Sequence, residues 1–151
     1  MMKIIQFDGK KITGISIRTT NANEMNPARA KIAALYQEFD KKITVDYKNG
    51  ARVYGVYYNY ESDASGEYSV MAGTDQPGET SGDGIETLVI PRGHYMVFAA
   101  KGDMPQVVID TWGKIWRYFS AEGVSHPRAY TTDFEFYKNQ QEIEIHIAVK
   151  T

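Results

Sequence analysis

The sequence predicts an α+β fold in which two β-α-β-β units, related by a pseudo-twofold axis, form an antiparallel sheet with two main helices on one face. Three observations predict it. First, the chain repeats itself: RVYGVYYNYE (52–61) followed by EYSVMAGT (67–74) is echoed by RAYTTDFEFY (128–137) followed by EIEIHIAV (142–149). Second, a helix-like run that opens at a proline stands upstream of each copy, Pro27 to Phe39 and Pro105 to Phe119. Third, matching positions lie roughly 75 to 80 residues apart, half of the 151-residue chain, as expected of an internal duplication. Two similar halves packed about a twofold leave a cleft at their seam, and this is where a function is expected.

Each element follows from local pattern. Residues 3–8 and 11–20 alternate apolar and polar, with Asp8-Gly9 as a turn signal between them. Asn26-Pro27 reads as a capping side chain followed by proline at the first helical position. Ala30, Ala33 or Ala34, Tyr36 and Phe39 then recur at helical spacing, and Lys41 and Lys42 complement the dipole in the last turn. This predicts a helix over 27–40. Asn49-Gly50 marks a turn, and strands at 52–60 and 67–73 flank the polar loop ESDASG. The stretch TDQPGETSGDG (74–84) reads as loop and as the boundary between halves 1–74 and 85–151 of one domain. The second half reads as strands at 85–90 and 94–101, a helix over 104–122 stopped by Gly123, and strands at 129–137 and 142–149. On the second helix Val108, Trp112, Ile115 and Phe119 form an apolar stripe, with Val108, Ile115 and Phe119 expected in the core.

Composition bounds the function classes. A chain of this length buries roughly 68–70% of its unfolded surface, so it needs no covalent staple, and it has no cysteine. The N-terminus MMKIIQFDGKK lacks the apolar run of a signal peptide, which leads us to expect a soluble, cytoplasmic protein without a membrane partner. A net charge of −2 from 17 basic and 19 acidic residues, scattered without blocks, shows no basic stripe, so nucleic-acid binding is not expected. The 11 tyrosines, against 6 phenylalanines and 2 tryptophans, suit strands, and they equally suit the walls of a site that needs apolar rings with polar tips.

One glutamate stands out. Alternation along YTTDFEFY puts Tyr130, Thr132, Phe134 and Phe136 on one face and Thr131, Asp133, Glu135 and Tyr137 on the other. The next strand groups Ile143, Ile145 and Ile147 opposite Glu144 and His146. The apolar set of each strand is expected to face the helices, the reverse staying open. In the first copy Tyr57 and Asn59 occupy the places of Asp133 and Glu135, so the duplicated cleft is chemically asymmetric. Glu135 and Asp133 fit a solvated strand face. They fit equally a carboxylate set among aromatics, whose charged form is disfavoured until a cation arrives. The second reading describes a receptor for lipophilic cations, with charge from Glu135 and cation–π contact from Tyr57, Tyr137, Trp112 and Trp116, and with Asn59 nearby.

The duplicated β-α-β-β units, the Trp112-x3-Trp116 helix and the late-strand FEFY (134–137) resemble the effector-binding domain of AraC- and MerR-type multidrug regulators, a fold shared with stand-alone gyrase-inhibitor-like proteins. The resemblance spans nearly the whole chain. It implies that Glu135 and the aromatic at Tyr137 line an aromatic pocket for cationic, planar or hydrophobic ligands. Regulators of that kind carry a DNA-binding segment ahead of the domain, whereas this chain starts directly with its first strand, so a stand-alone binding module is expected.

Other chemistry is weaker. His94, His126 and His146 show no paired spacing, so no metal is expected, and no cofactor motif occurs. No catalytic residue is assigned. Two alternatives remain: a hydrolase of reactive small molecules, in which Glu135 with Tyr137 would activate water, and a protein-interaction inhibitor of the gyrase-inhibitor type acting through its surface on a protein partner.

Overall fold

The computed structural model describes residues 2–151. In chain order the elements are β1 (Met2–Phe7), β2 (Lys10–Thr19), α1 (Asn21–Glu24), α2 (Ile32–Lys42), β3 (Ile43–Val45), β4 (Val53–Tyr58), β5 (Tyr68–Thr74), β6 (Pro77–Thr80), β7 (Glu86–Ile90), β8 (Gly93–Lys101), α3 (Gln106–Ser120), β9 (Thr132–Tyr137) and β10 (Glu142–Ala148). Eight strands form one sheet in the order β1-β8-β10-β9-β4-β5-β2-β7. That order is a palindrome of the two halves. Four elements of each repeat match in chain order (β2, α2, β4, β5 and β8, α3, β9, β10), and the additional first strands β1 and β7 exchange sides, β1 pairing with β8 and β7 with β2. All pairs are antiparallel, and the seam is the β4–β9 ladder, centred on Val56 opposite Phe134.

The sheet is curled, and both of its faces are buried. On the inner face Ile12, Tyr54, Val56, Met71, Ile90, Tyr95 and Phe134 form one core. Phe7 from one end of the sheet reaches the middle strand, its ring centroid 5.0 Å from that of Phe134. On the outer face Leu35 and Phe39 of α2 pack on Tyr57, Val70 and Ala72, while Val107 and Ile115 of α3 pack on Ile143, Ile145 and Ile147. Trp112 touches both of these outer clusters.

This two-sided burial corrects one expectation. The apolar set of β10 does face the helices, but that of β9 does not: Phe134 points into the inner core, and Glu135 and Tyr137 share the helix side with their cross-strand neighbours Ile145 and Ile143. When both faces of a sheet are apolar, alternation cannot say which is which; the ladder register decides.

The first helix begins later than the proline suggests. The Asn26 side chain accepts from the Ala28 N–H at 3.0 Å and its carbonyl accepts from Arg29 and Ala30, which closes a separate turn around Pro27. The free amides at the start of α2 are met instead by Glu24, whose carboxylate accepts from Lys31 and Ile32 N–H at 3.0–3.3 Å. A carboxylate at a helix N-terminus both caps it and complements its dipole. On α3 Ile115 is buried as expected, but its buried companions are Val107 and Thr111, while Val108 and Phe119 are only partly buried. The segment read as a boundary loop carries β6, fully exposed and held only by pairing with β3. Such a strand, PGET, has no apolar alternation for sequence reading to detect.

Candidate functional site

Between α2 and α3, above the seam, lies a cavity of about 1160 Å³. Its floor is β4 and β9. Tyr57 and Glu135 rise from those strands, Tyr36 descends from α2, and Val108, Trp112 and Trp116 descend from α3. The volume lies just above the roughly 300–1000 Å³ common for small-molecule pockets, and six tyrosines and both tryptophans are among the lining residues.

Glu135 is 1% exposed and accepts four hydrogen bonds. Oε1 takes the Tyr36 hydroxyl at 3.2 Å and the Tyr137 hydroxyl at 2.9 Å. Oε2 takes the Tyr57 hydroxyl at 2.9 Å and the Trp112 indole N–H at 2.7 Å. Every donor is neutral. Burial pushes the carboxyl pKa above its usual 4.5, and the four donors, Trp112 foremost, oppose that shift. Burial next to the carboxylate also drives the hydroxyls of Tyr36, Tyr57 and Tyr137 well above 10, so these rings stay protonated donors.

The rings brace one another. Tyr57 meets Trp112 edge-on at 5.2 Å, Tyr36 meets Tyr137 edge-on at 6.1 Å, and Trp112 lies 6.3 Å from Trp116. Space for the cluster comes from Gly55, directly opposite Glu135 in the ladder. A Cβ there would stand 2.6 Å from Glu135 Oε1 and would collide with the Tyr36 hydroxyl.

Asp133, one pleat along the same face, is fully buried in a different arrangement. Its Oδ2 accepts from Arg128 Nη2 at 2.7 Å and from the Tyr60 hydroxyl, and its Oδ1 accepts from the Ala148 N–H at 2.9 Å. Thus Asp133 is bonded to a cation, whereas among the described residues no cation is bonded to Glu135.

Of the six residues singled out from the sequence, Glu135, Tyr137, Tyr57, Trp112 and Trp116 line the cavity. Asn59 is exposed just beyond β4, in a left-handed conformation (φ 51°), its carbonyl accepting from Arg18; it is not among the lining residues. The backbone turns out of the strand there, so the alternation that placed Asn59 beside Tyr57 ends at Tyr58. Sequence reading missed Tyr36, Gly55 and Arg128. A tyrosine with a polar tip on the apolar stripe of the helix and a glycine within a strand were the available signals, the latter because it marks a close approach.

The family model for integron-associated effector binding proteins, Cass2, matches residues 3–149. The integron cassette protein from the mobile metagenome of Vibrio cholerae is 43% identical and superposes with a TM-score of 0.88, over 99% of this chain and 95% of that one. The transcriptional-regulator homologue YobU of Bacillus subtilis (strain 168) is 30% identical over 97% of this chain and 96% of its own length. SAV2435, solved bound to tetraphenylphosphonium, shares the fold at 19% identity, with a TM-score of 0.68 over 99% of this chain and 94% of that one. The chain belongs to the Cass2 family of effector-binding proteins, relatives of transcription regulators, and its fold is that of a small-molecule-binding domain.

Proposed function

We propose that this Cass2-family protein binds bulky lipophilic cations in the cavity, with Glu135 as the charge partner and Tyr57, Tyr137, Trp112 and Trp116 as aromatic walls. The observation that carries the reading is a buried carboxylate at the cavity wall held by four neutral donors, with no cation bonded to it among the described residues. A charge in that position is disfavoured in the free protein and is compensated when a cation enters.

The hydrogen bonding narrows the class further. A carboxylate offers about four acceptor sites, and here all four are in use. A ligand charge is therefore met through space and by ring faces rather than by a new hydrogen bond. That suits quaternary, phosphonium or delocalised ring cations, which carry no N–H to satisfy, better than primary ammonium ions. The same saturation weighs against the hydrolytic alternative, since a general base needs a free lone pair for the water proton. Tetraphenylphosphonium bound to the structural relative SAV2435 is a cation of the favoured kind.

Both tryptophans of the chain stand at the cavity wall and serve as the reporter. Titration with tetraphenylphosphonium should quench their fluorescence saturably, with a Kd in the micromolar range, about −8 kcal/mol. An alkylammonium of similar apolar area should bind more weakly. Absence of saturable quenching by any such cation refutes the proposal.

A further inference from the structure

We propose that the Arg128 end of the cavity is a second subsite, which takes a neutral oxygen acceptor, such as an ester or amide carbonyl, carried on the same ligand whose charge sits at Glu135. The inference rests on the cation reading above and adds a requirement to it. Arg128 lines the main cavity and also a second lobe of about 270 Å³, the two sharing Asn21 and Trp116.

Arg128 is 8% exposed, and the hydrogen bonding of its guanidinium is incomplete. Nη2 donates to Asp133, but Nε is buried without any partner, and Nη1 makes no hydrogen bond among the described residues. A guanidinium carries five N–H donors, and buried donors left unmet are costly. Asn21, the other polar side chain shared by the two lobes, is already engaged: its amide donates to the Ala64 carbonyl at 2.9 Å and accepts from Tyr68 at 2.7 Å. Arg128 is thus the group in the lobe with donors to spare.

Its position is held deliberately. The Tyr130 ring lies 4.4 Å beneath the guanidinium, and Tyr130 adopts a left-handed backbone (φ 54°), an uncommon conformation for an aromatic residue. Strain of this sort persists where surrounding structure enforces it, and it collects at ligand-binding positions. Tyr60 packs edge-on against Tyr130 at 5.7 Å and closes the clamp.

The ion pair sets the ligand chemistry. Asp133 already neutralises Arg128 at 2.7 Å, and Glu135 lies nearby, so an anionic group would meet two carboxylates and one guanidinium. A neutral carbonyl avoids that repulsion and still meets Nη1, the unbonded donor that is not fully buried. Asp133 and Glu135 share one face of β9 two residues apart, roughly 7 Å along a strand, so a single substituted ring system spans both ends.

Two dyes test it: tetramethylrosamine and tetramethylrhodamine methyl ester, which share a xanthylium cation and differ by the ester. Calorimetric titration of the wild-type protein should show the ester dye binding on the order of tenfold tighter, the usual worth of a hydrogen bond to a charged donor. The double substitution Arg128→Met with Asp133→Asn removes both charges together; it should abolish the preference while leaving tetramethylrosamine affinity within about twofold. Should that protein melt too early to titrate, Arg128→Lys, which keeps Asp133 paired but loses the planar fork, should reduce the preference in the same way. Equal affinity of the wild type for both dyes, or a preference that survives the substitutions, overturns the subsite and leaves the Glu135 reading standing. Failure of both dyes to bind overturns the two together.

Discussion

Gly55 and Glu135 face each other across the β4–β9 ladder, and the side chain that Gly55 lacks is the space in which the Tyr36 hydroxyl reaches the carboxylate. The seam between the two halves is therefore closed over by a helix residue at the point where the buried charge sits. This single juxtaposition couples the sheet register, the placement of α2 and the electrostatics of the cavity.

Gly55→Ala should damage the site more than the fold. The new methyl collides with the ends of two side chains rather than with backbone, so Tyr36 and Glu135 yield by giving up their hydrogen bond. A loss of about 1–3 kcal/mol is expected from overpacking, together with weaker cation binding. Chemical denaturation and the tetraphenylphosphonium titration measure the two effects, and an unchanged affinity would show that the Tyr36 contact is dispensable.

Glu135→Gln separates charge from shape. The amide keeps the volume and still accepts from part of the donor set, and it removes a buried charge, so stability at pH 7 should hold or rise. Cation affinity should fall by roughly 1–3 kcal/mol because the ligand charge is then buried without an opposite partner. Calorimetry with a cation and its uncharged isostere checks this: equal losses for both ligands would remove the electrostatic role.

The pH dependence has a definite sign. The Glu135 pKa is raised in the folded protein, so its contribution to stability is fully present below about 4.5, the unfolded value, and is lost as pH rises through the folded value. Cation affinity should run the other way, rising with pH over the same window as the carboxyl ionises. The tyrosines facing it, Tyr36, Tyr57 and Tyr137, remain protonated there. His146, stacked 4.3 Å over Phe134 on the inner face, also titrates in acid, burial pushing its pKa down to about 4. Its contribution is present above about 6.5 and is lost as pH falls. Urea unfolding against pH on wild type and on Glu135→Gln isolates the glutamate: the difference curve should fall from acid to neutral pH, and a flat difference would contradict the raised pKa.

Asp133→Asn should behave in the opposite way to Glu135→Gln despite lying on the same face of the same strand. It leaves the Arg128 guanidinium buried without its counter-charge, and breaking a buried pair from one side costs about 3–5 kcal/mol. Thermal unfolding of the two amide variants side by side gives the comparison; a larger loss for Glu135→Gln would invert the assignment of the two carboxylates.

The sequence by itself determined the duplication, the order of the strands along the chain and the two long helices, because period-2 and period-3.6 patterns and the turn residues are local signals that burial then rewards. It also marked Glu135 as a carboxylate in aromatic company. Helix α2 starting at Ile32 rather than at Pro27 was not legible, since its cap is the carboxylate of Glu24, eight residues before the first helical residue. Nor was β6, whose exposed residues are a strand only by virtue of β3. Which face of β9 met the helices was decided by tertiary structure alone. The curled sheet buries both sides, so hydrophobic alternation carries no sign, and the β10 register that places Glu135 opposite Ile145 supplies it. The same holds for the difference between the two carboxylates. Asp133 and Glu135 look alike in the strand; Arg128, five residues before Asp133, turns back onto the first, while the second is met by Tyr36, Tyr57 and Trp112 from distant elements together with its near neighbour Tyr137, and strand alternation shows neither the turn nor the distant contacts.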